Sequence, residues 1–206
     1  LSDFHYDLPP ERIAQTPITP RDASRLLVMN RETGKLEHRT FRDILEYIRP
    51  EDVLVLNDTK VIPARIIGRR AYKAVSGSVE KSDSTAPVEL LLLKQTEKDV
   101  WLALAGPGKR ARIGDILEFG DGILQAHVED IVQGGQRIVR LTCDTATVYE
   151  ALHQIGSMPL PPYITEKLAD PDRYQTVYSN IEGSAAAPTA GLHFTKELLE
   201  QVRGKG

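Results

Sequence analysis

The sequence predicts an α/β fold in which a sandwich-type α/β domain carries an inserted small β-barrel. Apolar runs of strand length at residues 26–29 and 53–56 flank a helical pattern at 41–48, and that strand–helix–strand order builds α/β layers. Between residues 88 and 142, five strand-like segments follow in quick succession with glycine-rich turns between them, the pattern of a small barrel. Helical patterns return after Thr147. Residues 1–68 and 144–206 are therefore assigned to one discontinuous α/β domain, and residues 69–143 to the inserted barrel.

Each element has a local reason. Pro9-Pro10 opens a short helical turn over 11–15, since proline is tolerated where a helix begins and no N–H is needed. Residues 26–29 form a continuous apolar strand. Thr40 caps a helix through Ile48 that sets Phe41, Ile44, Leu45 and Ile48 on one side. Residues 53–56 lack alternation, so the strand they predict suits a sheet covered on both faces. Residues 73–86, rich in Ser, Lys and Gly, predict an exposed, mobile loop. Strands are expected at 88–93, 100–105, 115–119, 123–128 and 137–142, with turns at Gly106-Pro107-Gly108, Gly120-Asp121-Gly122 and Gly134-Gly135. Thr147-Val148-Tyr149-Glu150 is a capping box opening a helix to about Ile155. Prolines at 159, 161 and 162 halt regular structure, and Thr195 caps a last helical pattern over 196–203.

Composition excludes several classes. The 206 residues suffice for one large domain or two small ones. A formal net charge of -3 leaves no global basic footprint, so any nucleic-acid surface must be local. The single cysteine, Cys143, excludes an intramolecular disulfide and fits a reducing compartment. No apolar run approaches the roughly 20 residues needed to span a bilayer, so a cytoplasmic protein without membrane attachment is expected. The chain begins at Leu1 rather than methionine, and no strand follows its last helix. A fragment of a longer protein is therefore expected.

Four constellations can carry chemistry. The run Gly183 to Thr195 has almost no side-chain bulk until His193. It reads either as a backbone cradle for a polar small molecule, using Pro188, Thr189, Ala190, Gly191 and Thr195, or as a tight packed connection with a core histidine. Asn57, Asp58 and Thr59 follow the strand expected at 53–56, where open sheets bind ligands, although such residues also make ordinary turns. Arg21, Asp22, Ser24 and Arg25 can grip a phosphate or carboxylate, or form a solvated loop with one ion pair. Arg173, Tyr174 and Gln175 suit stacking on and edge recognition of a base, or one face of an amphipathic helix. Basic residues gather at Arg65, Arg69, Arg70 and Lys73 and at Lys109, Arg110 and Arg112; they can track an RNA backbone or simply be solvated. The five histidines are scattered without ligand-like spacing, so no metal site is expected.

The order of these segments is specific. Asp3-Phe4-His5-Tyr6-Asp7-Leu8-Pro9, Arg21-Asp22-Ala23-Ser24-Arg25-Leu26, Leu56-Asn57-Asp58-Thr59-Lys60-Val61-Ile62-Pro63-Ala64-Arg65, Met158-Pro159-Leu160-Pro161-Pro162-Tyr163-Ile164, Arg173-Tyr174-Gln175-Thr176-Val177-Tyr178 and Ala187-Pro188-Thr189-Ala190-Gly191-Leu192-His193-Phe194-Thr195 occur in that sequence. Together they resemble the S-adenosylmethionine:tRNA ribosyltransferase-isomerase family of queuosine biosynthesis, essentially end to end. The resemblance implies an α/β domain with an inserted barrel. It implies transfer of the ribosyl part of S-adenosylmethionine to 7-aminomethyl-7-deazaguanine at the wobble position of a tRNA with a GUN anticodon. Isomerisation then gives epoxyqueuosine, and adenine and methionine leave. S-adenosylmethionine is thus a consumed co-substrate, no cofactor is implied, and a cytoplasmic monomer is expected. Members of the family continue well beyond the length of this chain.

On that reading, His193 is the candidate base or acid, since an imidazole with a pKa of about 6.5 transfers protons in both directions. Asp58 is the candidate for the ribose hydroxyls or the sulfonium. The backbone of 189–191 and the Thr195 hydroxyl are candidates for a carboxylate or phosphate, and Arg173, Tyr174 and Gln175 for a base. Asn57, Thr59, Arg65, Arg21, Asp22, Ser24 and Arg25 complete the expected binding set. The competing readings are a non-catalytic RNA-binding module and a transferase acting on a free nucleobase.

Overall fold

In a computed structural model, which describes residues 2–75, 78–82 and 85–206, the strands are β1 (Arg25–Met29), β2 (Leu36–Thr40), β3 (Thr59–Val61), β4 (Arg65–Val75), β5 (Ser78–Lys81), β6 (Pro87–Glu97), β7 (Val100–Gly106), β8 (Ile116–Phe119), β9 (Leu124–Ile131), β10 (Arg137–Cys143) and β11 (Ile181–Ser184). Two α-helices, α1 (Val148–Ile155) and α2 (Lys196–Arg203), and several short 3-10 turns complete the mixed α/β fold. The chain divides into two compact units. One holds Leu1–Asp58, Leu160–Asn180 and Pro188–Gly206; the other holds Thr59–Pro159 and Ile181–Ala187. The second unit thus begins at Thr59 and runs on to Pro159, taking in residues on both sides of the 69–143 insert expected from sequence.

That second unit is a closed barrel. Strands run in the order β4-β6-β7-β10-β9-β8, and β4 pairs back onto β8 to shut the cylinder. Alternation does the work: Val88, Leu90 and Leu92 of β6, Leu117 and Phe119 of β8, and Leu124, Ala126 and Val128 of β9 all point inward and are buried. Helix α1, whose Thr147 hydroxyl accepts the Glu150 N–H at 3.2 Å, adds Val148, Ala151 and Leu152 to the same apolar core. Alongside, β11 and β3 form a parallel pair.

Polar groups finish the barrel. The largely buried Arg137 guanidinium donates from Nε to the Ala111 carbonyl at 3.1 Å, from NH2 to Gly108 at 2.8 Å, and from NH1 to Gly135. Buried Asp115 accepts the Arg112 N–H at 3.0 Å and pairs with Arg70 at 3.3 Å. Where β4 crosses β8, a Cβ on Gly68 would lie 2.0 Å from the Glu118 carbonyl oxygen, so only glycine lets the two strands meet.

The first unit is mostly turns. The hairpin β1–β2 pairs Arg25 with Thr40 and Met29 with Leu36. After it, Asp43 Oδ2 accepts both the N–H and the hydroxyl of Thr40 at 2.9 Å. The resulting 3-10 turn (Phe41–Glu46) feeds Phe41 into a small core with Phe194, Leu198 and Leu199.

Two sequence expectations fail here. Residues 53–56 form no strand, and Val53 and Val55 are each 87% exposed: an apolar run becomes a strand only if another strand pairs with it, and none of the described residues does. Residues 73–86 are not one loop, because β4 continues to Val75 and pairs with β5; Ser76, Gly77, Asp83 and Ser84 lie outside the described residues.

Replacing Arg137 with Met should lower stability to urea by about 2–4 kcal/mol, because three carbonyls lose their donor. Gly68→Ala should cost about 1–3 kcal/mol by prying β4 from β8; an unchanged denaturation midpoint for Gly68→Ala would refute that account of barrel closure.

Candidate active site

The glycine-poor-in-bulk run folds into a 3-10 turn, Thr189–His193, followed at once by α2. Thr195 ends the turn and starts the helix: its hydroxyl accepts the Leu198 N–H at 3.1 Å. That hydroxyl caps the helix and keeps its own O–H to donate. Gly191 is required by proximity. A Cβ there would sit 2.1 Å from the Tyr178 hydroxyl and 3.0 Å from Thr176 Cγ2. Its close approach is to Tyr178, and burial raises the Tyr178 phenol above its usual pKa.

His193 sits at the end of this turn, half-buried. Its Nδ1 lies 3.0 Å from Ser24 Oγ, and the Phe41 ring packs 5.1 Å away at an interplanar angle of 43°. Burial pushes the imidazole below its ordinary value of 6.5, because charging it would forfeit hydration. Burial thus favours the uncharged imidazole, in which one ring nitrogen carries no proton.

Arg21 holds the frame. Its guanidinium donates to the carbonyls of Gln175 at 2.9 Å, Leu192 at 3.2 Å and Asp172 at 2.9 Å. Burial first, and then the charge of Arg173, lowers its pKa, though an arginine stays protonated. The expected anion grip is thus, in the structure, a staple across backbone carbonyls. Asp22 Oδ1 is buried without a hydrogen-bond donor and faces Arg42 at 3.7 Å. Arg25 is exposed on β1.

A cavity of about 550 Å³ opens in the same unit. Ala14, Pro17, Leu160, Ile164, Tyr174 and Leu192 give it largely apolar walls, with Glu166, Lys167, Asp170, Arg173 and Thr189 also lining it. Gln15 shapes one wall by donating to the Tyr163 carbonyl at 3.0 Å and accepting the Thr165 N–H at 2.8 Å. Arg173 donates to the Ile18 carbonyl at 2.7 Å. Tyr174 and Gln175 are buried, and Pro188 and Ala190 flank Thr189 on the turn.

The structure thus gathers Arg21, Ser24, Gln175, Gly191 and His193, and it places Arg173, Tyr174 and Thr189 around a cavity beside them in the chain. Asp58 and Asn57 are exposed, and the Asp58 carbonyl accepts the Asn180 N–H at 2.7 Å. With no strand at 53–56, these residues lead into β3 instead of capping a strand end, and no contact of His193 among the described residues involves Asp58. Thr59 lies in β3, and Arg65 in β4 beside Glu89 at 3.6 Å. The other cations of that basic group are also paired, Arg69 with Glu118, Arg70 with Asp115 and Lys73 with Glu80. Arg110 donates to the Pro87 carbonyl. Sequence reasoning missed Phe41 as a neighbour of the site, since it was legible only as an apolar position; Tyr178 stood in the segment Asp172–Tyr178, whose two phenols suit base recognition, but its place against Gly191 was not legible. No helix among the described residues is long and apolar enough to cross a membrane.

Comparison with known proteins supplies the context. Residues 1–206 match the family described as queuosine biosynthesis protein. The S-adenosylmethionine:tRNA ribosyltransferase-isomerase of Desulforamulus reducens is 51% identical over all of this chain and 57% of its own length. That of Acetivibrio thermocellus is 53% identical over the same shares. The crystal structure of S-adenosylmethionine tRNA ribosyltransferase from Thermotoga maritima is 34% identical, with a TM-score of 0.38, over 99% of this chain and 55% of that one. The chain spans little more than half the length of these relatives, and it belongs to the queuosine biosynthesis protein family, whose matched members bear the name of a tRNA-modifying transferase-isomerase.

Proposed function

We propose that the protein containing this chain transfers the ribosyl portion of S-adenosylmethionine to 7-aminomethyl-7-deazaguanine at the wobble position of a tRNA with a GUN anticodon. The ribosyl group is isomerised to an epoxycyclopentanediol, adenine and methionine depart, and the product is epoxyqueuosine-tRNA. The protein works as a cytoplasmic monomer, with S-adenosylmethionine as consumed co-substrate and no cofactor.

The observation that carries this reading is the pairing of a neutral, oriented histidine with an adjacent cavity. His193 follows Leu192, which lines the cavity with Thr189 of the same turn. About 550 Å³ is within the range of small-molecule sites. Apolar walls and Tyr174 suit a flat purine. Acidic Glu166 and Asp170 and basic Lys167 and Arg173 suit the ammonium and carboxylate of the methionyl end.

The chemistry asks little of a base. A sulfonium acidifies the neighbouring C5′ protons, so a neutral imidazole in position can remove one. Loss of adenine, attack by the tRNA amine and ring closure with expulsion of methionine then follow. Asp58, with Asn57 and Thr59, is assigned to the ribose hydroxyls or the sulfonium, and Arg65 and Arg25 to tRNA phosphates.

The test is tRNA-dependent adenine release from S-adenosylmethionine, measured on the protein in its natural length. His193→Ala should lower kcat by roughly 10²–10⁴-fold, the usual contribution of a general base; undiminished turnover removes His193 from the mechanism. The working form is the unprotonated one, so kcat should climb as pH rises through the folded-state pKa, which burial sets below 6.5, and be level at neutral pH. An acid limb centred above 6.5 contradicts the assignment.

A further inference from the structure

We propose that Ser24 is a positioning residue for His193: its hydroxyl accepts the Nδ1–H of the neutral imidazole, leaving Nε2 bare as the atom that takes the substrate proton. This inference rests on the reading of His193 as a base, and it settles which nitrogen works and why.

Both partners are held by backbone bonds that do not involve the contact between them. Ser24 donates its N–H to the Arg21 carbonyl at 3.3 Å, and its own carbonyl accepts the Phe41 N–H at 2.8 Å. On the other side, the Leu192 carbonyl is fixed by Arg21, and the Phe194 N–H donates to Gly191 at 3.2 Å. The 3.0 Å separation of Oγ and Nδ1 is therefore imposed by the frame and is not a chance meeting of two mobile side chains. Phe41 covers the ring from one side, which restricts rotation that would exchange the nitrogens.

Which atom carries the proton follows from what the ring must do. A histidine's tautomer is set by the bond its second nitrogen makes. If Ser24 donated to Nδ1, Nε2 would hold the only ring proton and the imidazole could act solely as an acid. The titratable and charged groups on the elements packed here are Arg21 and Asp22 on the Ser24 turn, Arg25 at the start of β1, Arg42, Asp43 and Glu46 on the Phe41 turn, and Tyr178 against Gly191. Arg21 is turned to carbonyls and Asp43 to Thr40. Asp22 Oδ1 remains buried without a donor, with Arg42 at 3.7 Å. Asp22 is answered by Arg42, so the direction of the bond follows from the base role: only with the ring N–H toward Ser24 is Nε2 left bare to take a proton.

Two measurements decide it. Long-range proton–nitrogen NMR of the histidine rings of this chain, above pH 7, should show His193 as the Nδ1–H tautomer, and Ser24→Ala should abolish that preference. An Nε2–H tautomer in the unaltered protein overturns the inference whatever the enzyme does. In the adenine-release assay, Ser24→Ala should reduce kcat about tenfold or more with little change in KM, as part of what a base contributes, and Ser24→Thr should restore it. Because the imidazolium also loses an acceptor, the acid limb of Ser24→Ala should move to lower pH; movement to higher pH overturns the assigned direction of the bond. If the Nδ1–H tautomer is found but His193→Ala turns over normally, the reading of His193 as base fails, and with it the inference.

Discussion

The Arg21 guanidinium is the interaction on which the candidate site depends. Its three acceptors, the carbonyls of Asp172, Gln175 and Leu192, lie more than 150 residues along the chain from it. The apolar core of that unit has only Phe41, Phe194, Leu198 and Leu199 at its centre, too little surface to fix several irregular segments by burial alone. Charged hydrogen bonds contribute about 1.5–3 kcal/mol each, and their directionality does what a small core does not. Since one of the three carbonyls immediately precedes His193, and Ser24 stands on the same turn as Arg21, one cation sets both halves of the serine–histidine contact.

The barrel unit solves the opposite problem. A closed sheet has no free edge and an interior filled by alternating side chains, so its stability is spread over many apolar contacts and most of its charges, Asp115 and Arg137 apart, are left to the outside. Those charges are then matched across strands. Arg69 meets Glu118 because β4 pairs with β8, and Lys73 meets Glu80 because β4 pairs with β5. Each acid is distant in sequence or follows a turn, so a run of cations looks open until the register is known.

The same distinction explains what could be read in advance. Strands between 88 and 142 were legible because one face of each is inside the barrel, which writes a period of two into the sequence, and their turns carry glycine at positive φ, as at Gly122 and Gly134. Thr147 and Thr195 were legible as caps, since capping is local chemistry. β4 was not, because its inward Ile66 and Gly68 are separated by an exposed apolar Ile67 and flanked by Arg65 and Arg69, which blurs the alternation, and β2 was hidden by Glu37, His38 and Arg39 in succession. Residues 53–56 erred the other way: apolar character is local, but pairing is not. At the site, His193 stood out from its side-chain-poor surroundings, whereas Phe41 became a site residue only through a contact made across the fold.

The side-chain-poor turn itself has a geometric purpose different from the open cradle its composition suggests. A 3-10 turn has three residues per turn, so positions i and i+3 eclipse and neighbours point about 120° apart. Thr189 and Leu192 are such a pair, and both line the cavity. His193, one step further on, is offset by about 120° around the turn, and its Nδ1 meets Ser24. An α-helical turn, with about 100° per residue, would loosen that division of faces. The tighter turn is possible because Gly191 lets the Tyr178 hydroxyl occupy the space a side chain would take. The absence of bulk thus admits a tyrosine, the tyrosine seats the turn, and the turn carries a cavity wall, Leu192, and the imidazole of His193 on adjacent residues.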